Sequence, residues 1–278
     1  MKRVYLRGGD RRVLEPDASL SPVVAKWTLD RACAALERQG FARVAGDEPH
    51  PPSHAELLAA IRAAPDELDT YLVLSDWLAE HGDAWGELIA VQHALATLPR
   101  RAPRERRDAL DRRDAELRFV HSARLWGELG TTIVDADRQH YAYDRVDATW
   151  RCGFLYAIAI RGDVPHDRLL DAIAPLEIAG VLRAIELASD AAWHRGALAA
   201  LARHTWPHLE RVDIATAQTA TLGGDVGAPC RALASREVAP RLRELHVIGA
   251  RVGDDAIAAL ANAGFAHSTR GGLHFTRA

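Results

Sequence analysis

Lysine is nearly missing from this chain. Lys2 and Lys26 are its only lysines, and arginine supplies the remaining permanent positive charge. The bias reads as GC-rich coding rather than function, although arginine suits bidentate pairing with carboxylates at an interface. Cysteine is also sparse: Cys33, Cys152 and Cys230 are odd in number, far apart and without a CxxC pair. That argues against a disulfide framework and a cysteine-built zinc site, and it fits a reducing, cytoplasmic setting. No apolar run approaches the length of a membrane span. The opening "MKRVYLRGGDRR" lacks the apolar core of a signal peptide. A large net charge is missing as well. At −3, the chain gives no global reason to expect nucleic acid or an anionic membrane. What it does have is 278 residues, 48% of them apolar. That is enough for two ordinary domains, or one with an appendage, each with a real core.

Residues 1–48 read as a small α/β unit. "RVYL" and "RVLE" are strand candidates about the turn "RGGD", and "FARV" is a returning strand. Between them "KWTLDRACAALERQG" is a helix with Leu29, Ala32, Cys33 and Leu36 on one face and Gly40 as its stop. "DEPHPPS", Asp47 to Ser53, is a proline-stiffened linker. A helical unit over 53–129 follows. Its first helix opens on a capping box, Ser53 with Glu56, and carries Leu57, Leu58 and Ile61. The second runs from about Glu67 to Glu80 and the third from about Ala84 to Leu98, both with apolar residues at helical spacing. The stretch 100–124 holds nine arginines against five carboxylates. Its simplest reading is a solvated helix laced with pairs such as Arg107–Asp111 and Asp108–Arg112. Nucleic-acid binding through this helix is the first alternative function, although no aromatic stacking platform is interleaved with the arginines. Residues 130–149 show no firm pattern and read as a joint.

One phrase recurs from Leu155 onward: "LYAIAI", "LRAIEL", "LERVDI", "LRELHV". Each is Leu-x-x-apolar-x-apolar, and the copies start at Leu155, Leu182, Leu209 and Leu242, at steps of 27, 27 and 33. A fifth, degenerate copy, "RGGLHF", starts at Arg270 with Leu273 and Phe275 in its last two apolar slots. A helical pattern fits between successive copies. This is the grammar of a leucine-rich repeat, in which no unit buries its apolar faces alone and stacking supplies the core. The expected fold class is therefore α/β. Over 150–278 it is a short leucine-rich-repeat solenoid of parallel strands plus helices, preceded by the helical module and the small α/β unit. The usual asparagine slot after each strand holds Asp163, Asp190, Ala217 and Ala250, so that ladder is missing. "TATLGGDVGAP" reads as a glycine-rich insertion on one edge.

The x positions of these phrases should face outward across the concave side of the sheet. They include Tyr156, Arg183, Glu186, Glu210, Arg211, Asp213, Arg243, Glu244 and His246. Mixed charge with a single aromatic suits a protein partner better than a polyanion.

The stretch "ELLAAIRAAPDELDTYLVLSDWLAEHGDAWGELIAVQHAL" resembles the bacterial repeat-companion domain, with "AAIRAAPDE", "DWLAEHGD" and "GELIAVQ" as its recurring phrases. "WRCGF" resembles that family's lead-in to leucine-rich-like repeats, and the N-terminal helix with "GFARV" faintly resembles the end of a WGR domain whose Trp-Gly-Arg signature is absent. The resemblance implies a fold and an arrangement but no activity.

Chemistry-bearing clusters are few. Asp76, Glu80, His81, Asp83 and Glu87 crowd the stretch "SDWLAEHGDAWGELIAVQ", and a metal-dependent hydrolase centred there is the second alternative. Helix-corner chemistry accounts for the same residues. Gly82 would end one helix, Asp83 would cap the next, and Trp77 and Trp85 would anchor the core. No HExxH, GxSxG, P-loop or dinucleotide fingerprint is present. Cys152 reads as packed rather than reactive. The expectation is a non-enzymatic adaptor or regulator of another bacterial protein, with no cofactor, no metal and no catalytic residue. Its partner is a protein rather than nucleic acid or membrane.

Overall fold

The computed structural model describes residues 3–7, 10–15, 22–45, 52–130, 145–162, 165–189, 191–216, 227–233, 235, 237–248, 252–269 and 273–277. The chain divides into two compact units, 1–93 and 94–278. Their border falls within a helix of the segment 53–129. No helix among the described residues is long and apolar enough to cross a membrane.

In the first unit, β1 (Arg3–Arg7) and β2 (Asp10–Leu14) pair antiparallel, and β3 (Ala42–Ala45) returns antiparallel on the other side of β1. Helix α1 (Pro22–Arg38) buries Leu29 and Cys33 with Phe41, and Leu14 and Leu36 pack against them. The helix ends where Gly40 takes φ 83°, a conformation cheap only without a Cβ. Helix α2 (His54–Ala63) starts on the full capping box: Ser53 Oγ accepts from the Glu56 amide, and the Glu56 carboxylate accepts from the Ser53 amide.

Helices α3 (Leu68–Glu80) and α4 (Trp85–Thr97) meet closely. Ser75 Oγ donates to the Gly86 carbonyl at 2.7 Å. A Cβ on Gly86 would lie 2.6 Å from the Ser75 carbonyl oxygen, so only glycine lets the two backbones approach this far.

After the last turn of α4, the second unit continues with the charged helix α5 (Arg104–Val120) and the short α6 (Ser122–Trp126). The pairs on α5 include Arg104–Asp108, Arg113–Glu116 and Arg118–Asp114, while Arg112 turns its Nε to the Asp108 carbonyl. Then comes a seven-stranded, mostly parallel open sheet. Its strands are β4 (Arg145–Arg151), β5 (Phe154–Arg161), β6 (Ala184–Ser189), β7 (Arg211–Thr216), β8 (Glu244–Ile248), β9 (Phe265–Ser268) and β10 (Leu273–Arg277). The spatial order is β4-β5-β6-β7-β8-β10-β9. Four central strands, β5 to β8, run parallel, and their registers pair Ala157 with Ala184, Arg211 and Glu244 in turn. Those offsets equal the spacing of the recurring phrase. The leading residues Leu155, Leu182, Leu209 and Leu242 are all essentially inaccessible to solvent.

Crossover helices join the parallel strands: α7 (His166–Ile173), α8 (Ala191–Arg203) and α9 (Gly227–Leu233), with α10 (Asp254–Asn262) after β8. They lie side by side in that order. Their buried residues, such as Leu170, Leu201, Leu233 and Leu260, form the core with Ile158, Ile160, Ile185, Leu187, Val212, Ile214, Leu245 and Val247 of the sheet.

Two expectations need correction. Residues 145–149, read as part of a joint, belong to β4, which pairs antiparallel with β5. The two join through a two-residue loop in which Cys152 (φ 48°) and Gly153 (φ 81°) both take positive φ, as a type I′ hairpin turn requires. The fifth copy is also not a parallel strand. β10 runs antiparallel to β8, with Leu273 opposite Val247 and Phe275 opposite Leu245. Its two apolar slots still reach the core face, because reversing a strand about an unchanged pair preserves side-chain parity. The residues Asp163, Asp190, Ala217 and Ala250, and most of the glycine-rich insertion, lie outside the described residues.

Candidate interaction face

The nine residues expected on the concave face fall into two sets. Tyr156, Arg183, Glu210 and Arg243 occupy one rung near the strand starts. The Arg183 amide donates to the Tyr156 carbonyl at 2.9 Å, Glu210 to Arg183 at 2.8 Å, and Arg243 to Glu210 at 2.8 Å. The guanidinium groups of Arg151 and Arg183 lie over the Tyr156 ring, 5.7 and 5.5 Å from its centre, and Arg183 pairs with Glu210 at 3.4 Å. Glu186, Arg211, Asp213, Glu244 and His246 lie further along, on the sheet face opposite the helices. Arg211 sits against Glu244, and Glu186, Asp213 and His246 share one register level.

That level extends beyond the expected residues. Asp147 of β4 extends it on one side, and His274 of β10, with Ser268 of β9 beyond it, extends it on the other. Arg161 binds both Asp147 and Glu186, each at 3.2 Å. Arg211 Nε binds Asp213 Oδ2 at 2.7 Å. His246 Nδ1 lies 2.7 Å from Asp213 Oδ1 without the alignment of a hydrogen bond, and the His246 and His274 rings meet edge to face at 4.6 Å. Between the charges sit small residues: Ala157, Ala159, Ala184, Ala188 and Ala215, all half-buried. Beside Ala215 a depression of about 330 Å³ opens, lined by Glu186, Arg211, Asp213, Ile214, Ala215, His246 and Ile248. Sequence reasoning missed Asp147, Arg161, Ile248 and His274. A shift of 28 from the fourth copy to the fifth places His274 beside His246 in either strand direction, so that residue was within reach.

The polar corner of the first unit is engaged in local contacts. Asp76 pairs with Arg31 of α1. Asp83 Oδ1 accepts from the Trp85 amide at 3.0 Å, capping α4, and Gly82 at φ 72° breaks the helix before it. His81 Nδ1 lies 2.7 Å from the Trp77 carbonyl. Trp85 is wholly buried, as an anchor should be. Trp77 is only half-buried and is sandwiched between the rings of His54, at 5.1 Å, and His81, at 3.8 Å. Among the described residues, no group of three or more His, Cys, Asp or Glu side chains is placed to hold a metal ion.

Two groups titrate away from their ordinary values. Burial pushes the Cys152 thiol up to about 11 against the opposing charge of Arg151, which makes it a poor thiolate and agrees with its packed position. On the helix layer, the hydrogen bond from Arg203, at 2.6 Å, holds the Asp171 carboxyl below the usual carboxylate range. Desolvation opposes this, and His204 Nε2, 2.8 Å away, adds to it.

Compared with protein-family models, curated proteins and solved structures, the chain shows no match. The functional reading therefore rests on this geometry and on the sequence.

Proposed function

We propose that the chain is a non-enzymatic protein-binding module, an adaptor or regulator of another bacterial protein. In this reading a repeat-companion module precedes a short arc of the leucine-rich-repeat type, and the partner docks on the open strand face. The observation that carries it is the alternation along β5 to β8. Every second residue is buried under the helices, while the intervening ones present charge and small side chains to the other side. Such a face offers complementary charge for specificity and room for a partner's side chains. Its test is affinity capture from the native host with the wild-type chain and with the triple variant Glu186→Lys, Arg211→Glu, Asp213→Lys. Loss of one captured protein in the variant is the expected result, and unchanged capture would place the site elsewhere.

The nucleic-acid reading keeps one supporting observation, the exposed arginines of α5. Pairing with carboxylates on the same helix weakens it. A steep fall of RNA or DNA affinity with salt would restore it, and no binding at low salt would remove it.

A further inference from the structure

The sheet of the second unit ends on β4 at one margin and on β9 at the other. An edge strand turns the amide and carbonyl of every second residue away from its neighbour, where they can template a further strand. At seven residues β4 is the longest edge strand among the described residues, against four in β9 and five and four in β2 and β3. Its charges are of both signs. Arg145, Asp147 and Arg151 share one side-chain row with Thr149. A row of one sign would repel its own copy, whereas this row can meet itself with opposite charges matched.

When β4 pairs antiparallel with β4 of a second copy, about a two-fold axis normal to the sheet, charge decides between the registers. Centred on Asp147, the pairing opposes two carboxylates. Centred on Ala148, it opposes Arg145 to Arg151 at both ends. Centred on Thr149, it opposes Asp147 to Arg151 twice and sets the exposed Thr149 against itself. Trp150 of each copy then falls beside Ala148 of the other on the helix-covered side. Opposite charges and paired threonines are favourable cross-strand neighbours, and like charges are not. Asp147 keeps its contact with Arg161 in this arrangement, since its side chain is 44% exposed and a carboxylate accepts from several donors.

We propose that the outer edge of β4 is a homodimer interface, in which the Thr149-centred register joins two seven-stranded sheets into one continuous sheet with both open faces on the same side. The inference concerns the margin of the sheet and holds whatever the open face binds.

The test is sedimentation equilibrium of the full chain from micromolar to millimolar concentration, where a reversible monomer–dimer equilibrium is expected. Asp147→Arg and Arg151→Asp each set like charges opposite one another, and each should weaken the dimer about tenfold. Mixed in equal amounts, the two variants regain opposite charges at both pairs and should form a heterodimer about as tight as the wild-type dimer. A folding defect in one of them would not show that recovery. Thr149→Cys should form a disulfide-linked dimer under mild oxidant. The three native cysteines are buried, and directly opposed residues of an antiparallel pair have Cα atoms about 4.5–5.5 Å apart, within disulfide reach. Ser268→Cys, exposed on the opposite margin, should stay monomeric under the same oxidant. A wild-type chain that is monomeric throughout the range would overturn the proposal. So would a dimer indifferent to both charge variants, no recovery on mixing two variants that circular dichroism shows to be folded, or equal cross-linking at Ser268 and Thr149.

Discussion

The two faces of the seven-stranded sheet are made by the same strands and follow different rules. On the helix-covered face Ile158, Ile185, Val212 and Leu245 form one continuous buried level, and Ile160, Leu187, Ile214 and Val247 form the next. On the other face the same register brings together Glu186, Asp213 and His246, none of them fully buried. Stability belongs to the first face, because burial of aliphatic side chains removes apolar area from water. The second face is free to vary, because pairs exposed to solvent contribute little to folding. One backbone thus carries a packed face and an open, charged face, with residue parity as the divider.

The largest test of that division is Ile185→Asp. A charge set into the helix-covered face has no partner there, and the variant should lose about 4 kcal/mol or more, enough to unfold a marginal domain. Urea denaturation followed by circular dichroism would show it, and a cooperatively folded variant would break the division outright. Next in size is Leu187→Ala, which should cost about 2–5 kcal/mol by the same measurement, since it opens a cavity in a side chain's place. Its chain neighbour gives the contrast. Glu186→Ala loses the contact with Arg161, an ion pair half in solvent, and should cost below about 1 kcal/mol. A cost near that of Leu187→Ala would mean the open face supports the fold.

The smallest effect is one of pH. The lowered Asp171 carboxyl contributes stability above the unfolded carboxylate value of about 3.9 and loses it as pH falls through the folded value. Asp171→Asn should therefore remove a shallow drop in thermal midpoint below about pH 4 and change little at pH 7, since this pair is also exposed. An identical acid profile in the variant would assign that drop to other carboxylates.

The parallel centre of the sheet was legible because Leu155, Leu182, Leu209 and Leu242 repeat in phase, and a buried level must recur at each strand. The flanks were missed, for reasons that differ by strand. In β4 the alternation of Val146, Ala148 and Trp150 with polar residues is itself a strand signal, which the reading of 130–149 as a joint did not use. The turn that pairs the strand with β5 uses Cys152 where an asparagine would have advertised it. In β10, Leu273 and Phe275 are two apart, and that spacing reads the same in both directions, so apolar slots alone carry no information about orientation. β9 buries only Phe265, too little for a pattern. The face charges were readable from the phrase itself. The contribution of Asp147 depended on the pairing of β4 with β5, and the depression depended on how side chains of β6, β7 and β8 meet across the register.

The antiparallel strands at the two edges bear on how this sheet could change in size. β4 terminates one side through a tight hairpin, and the short β9 terminates the other, where only four residues are left to template a further strand. Neither margin belongs to the parallel run whose register the recurring phrase follows. A second copy of 182–208, spliced between β6 and β7, would instead repeat an existing register, widen the sheet by about 4.8 Å and leave both margins as they are. The architecture grows from its middle, and the face it presents would lengthen in whole steps of one strand.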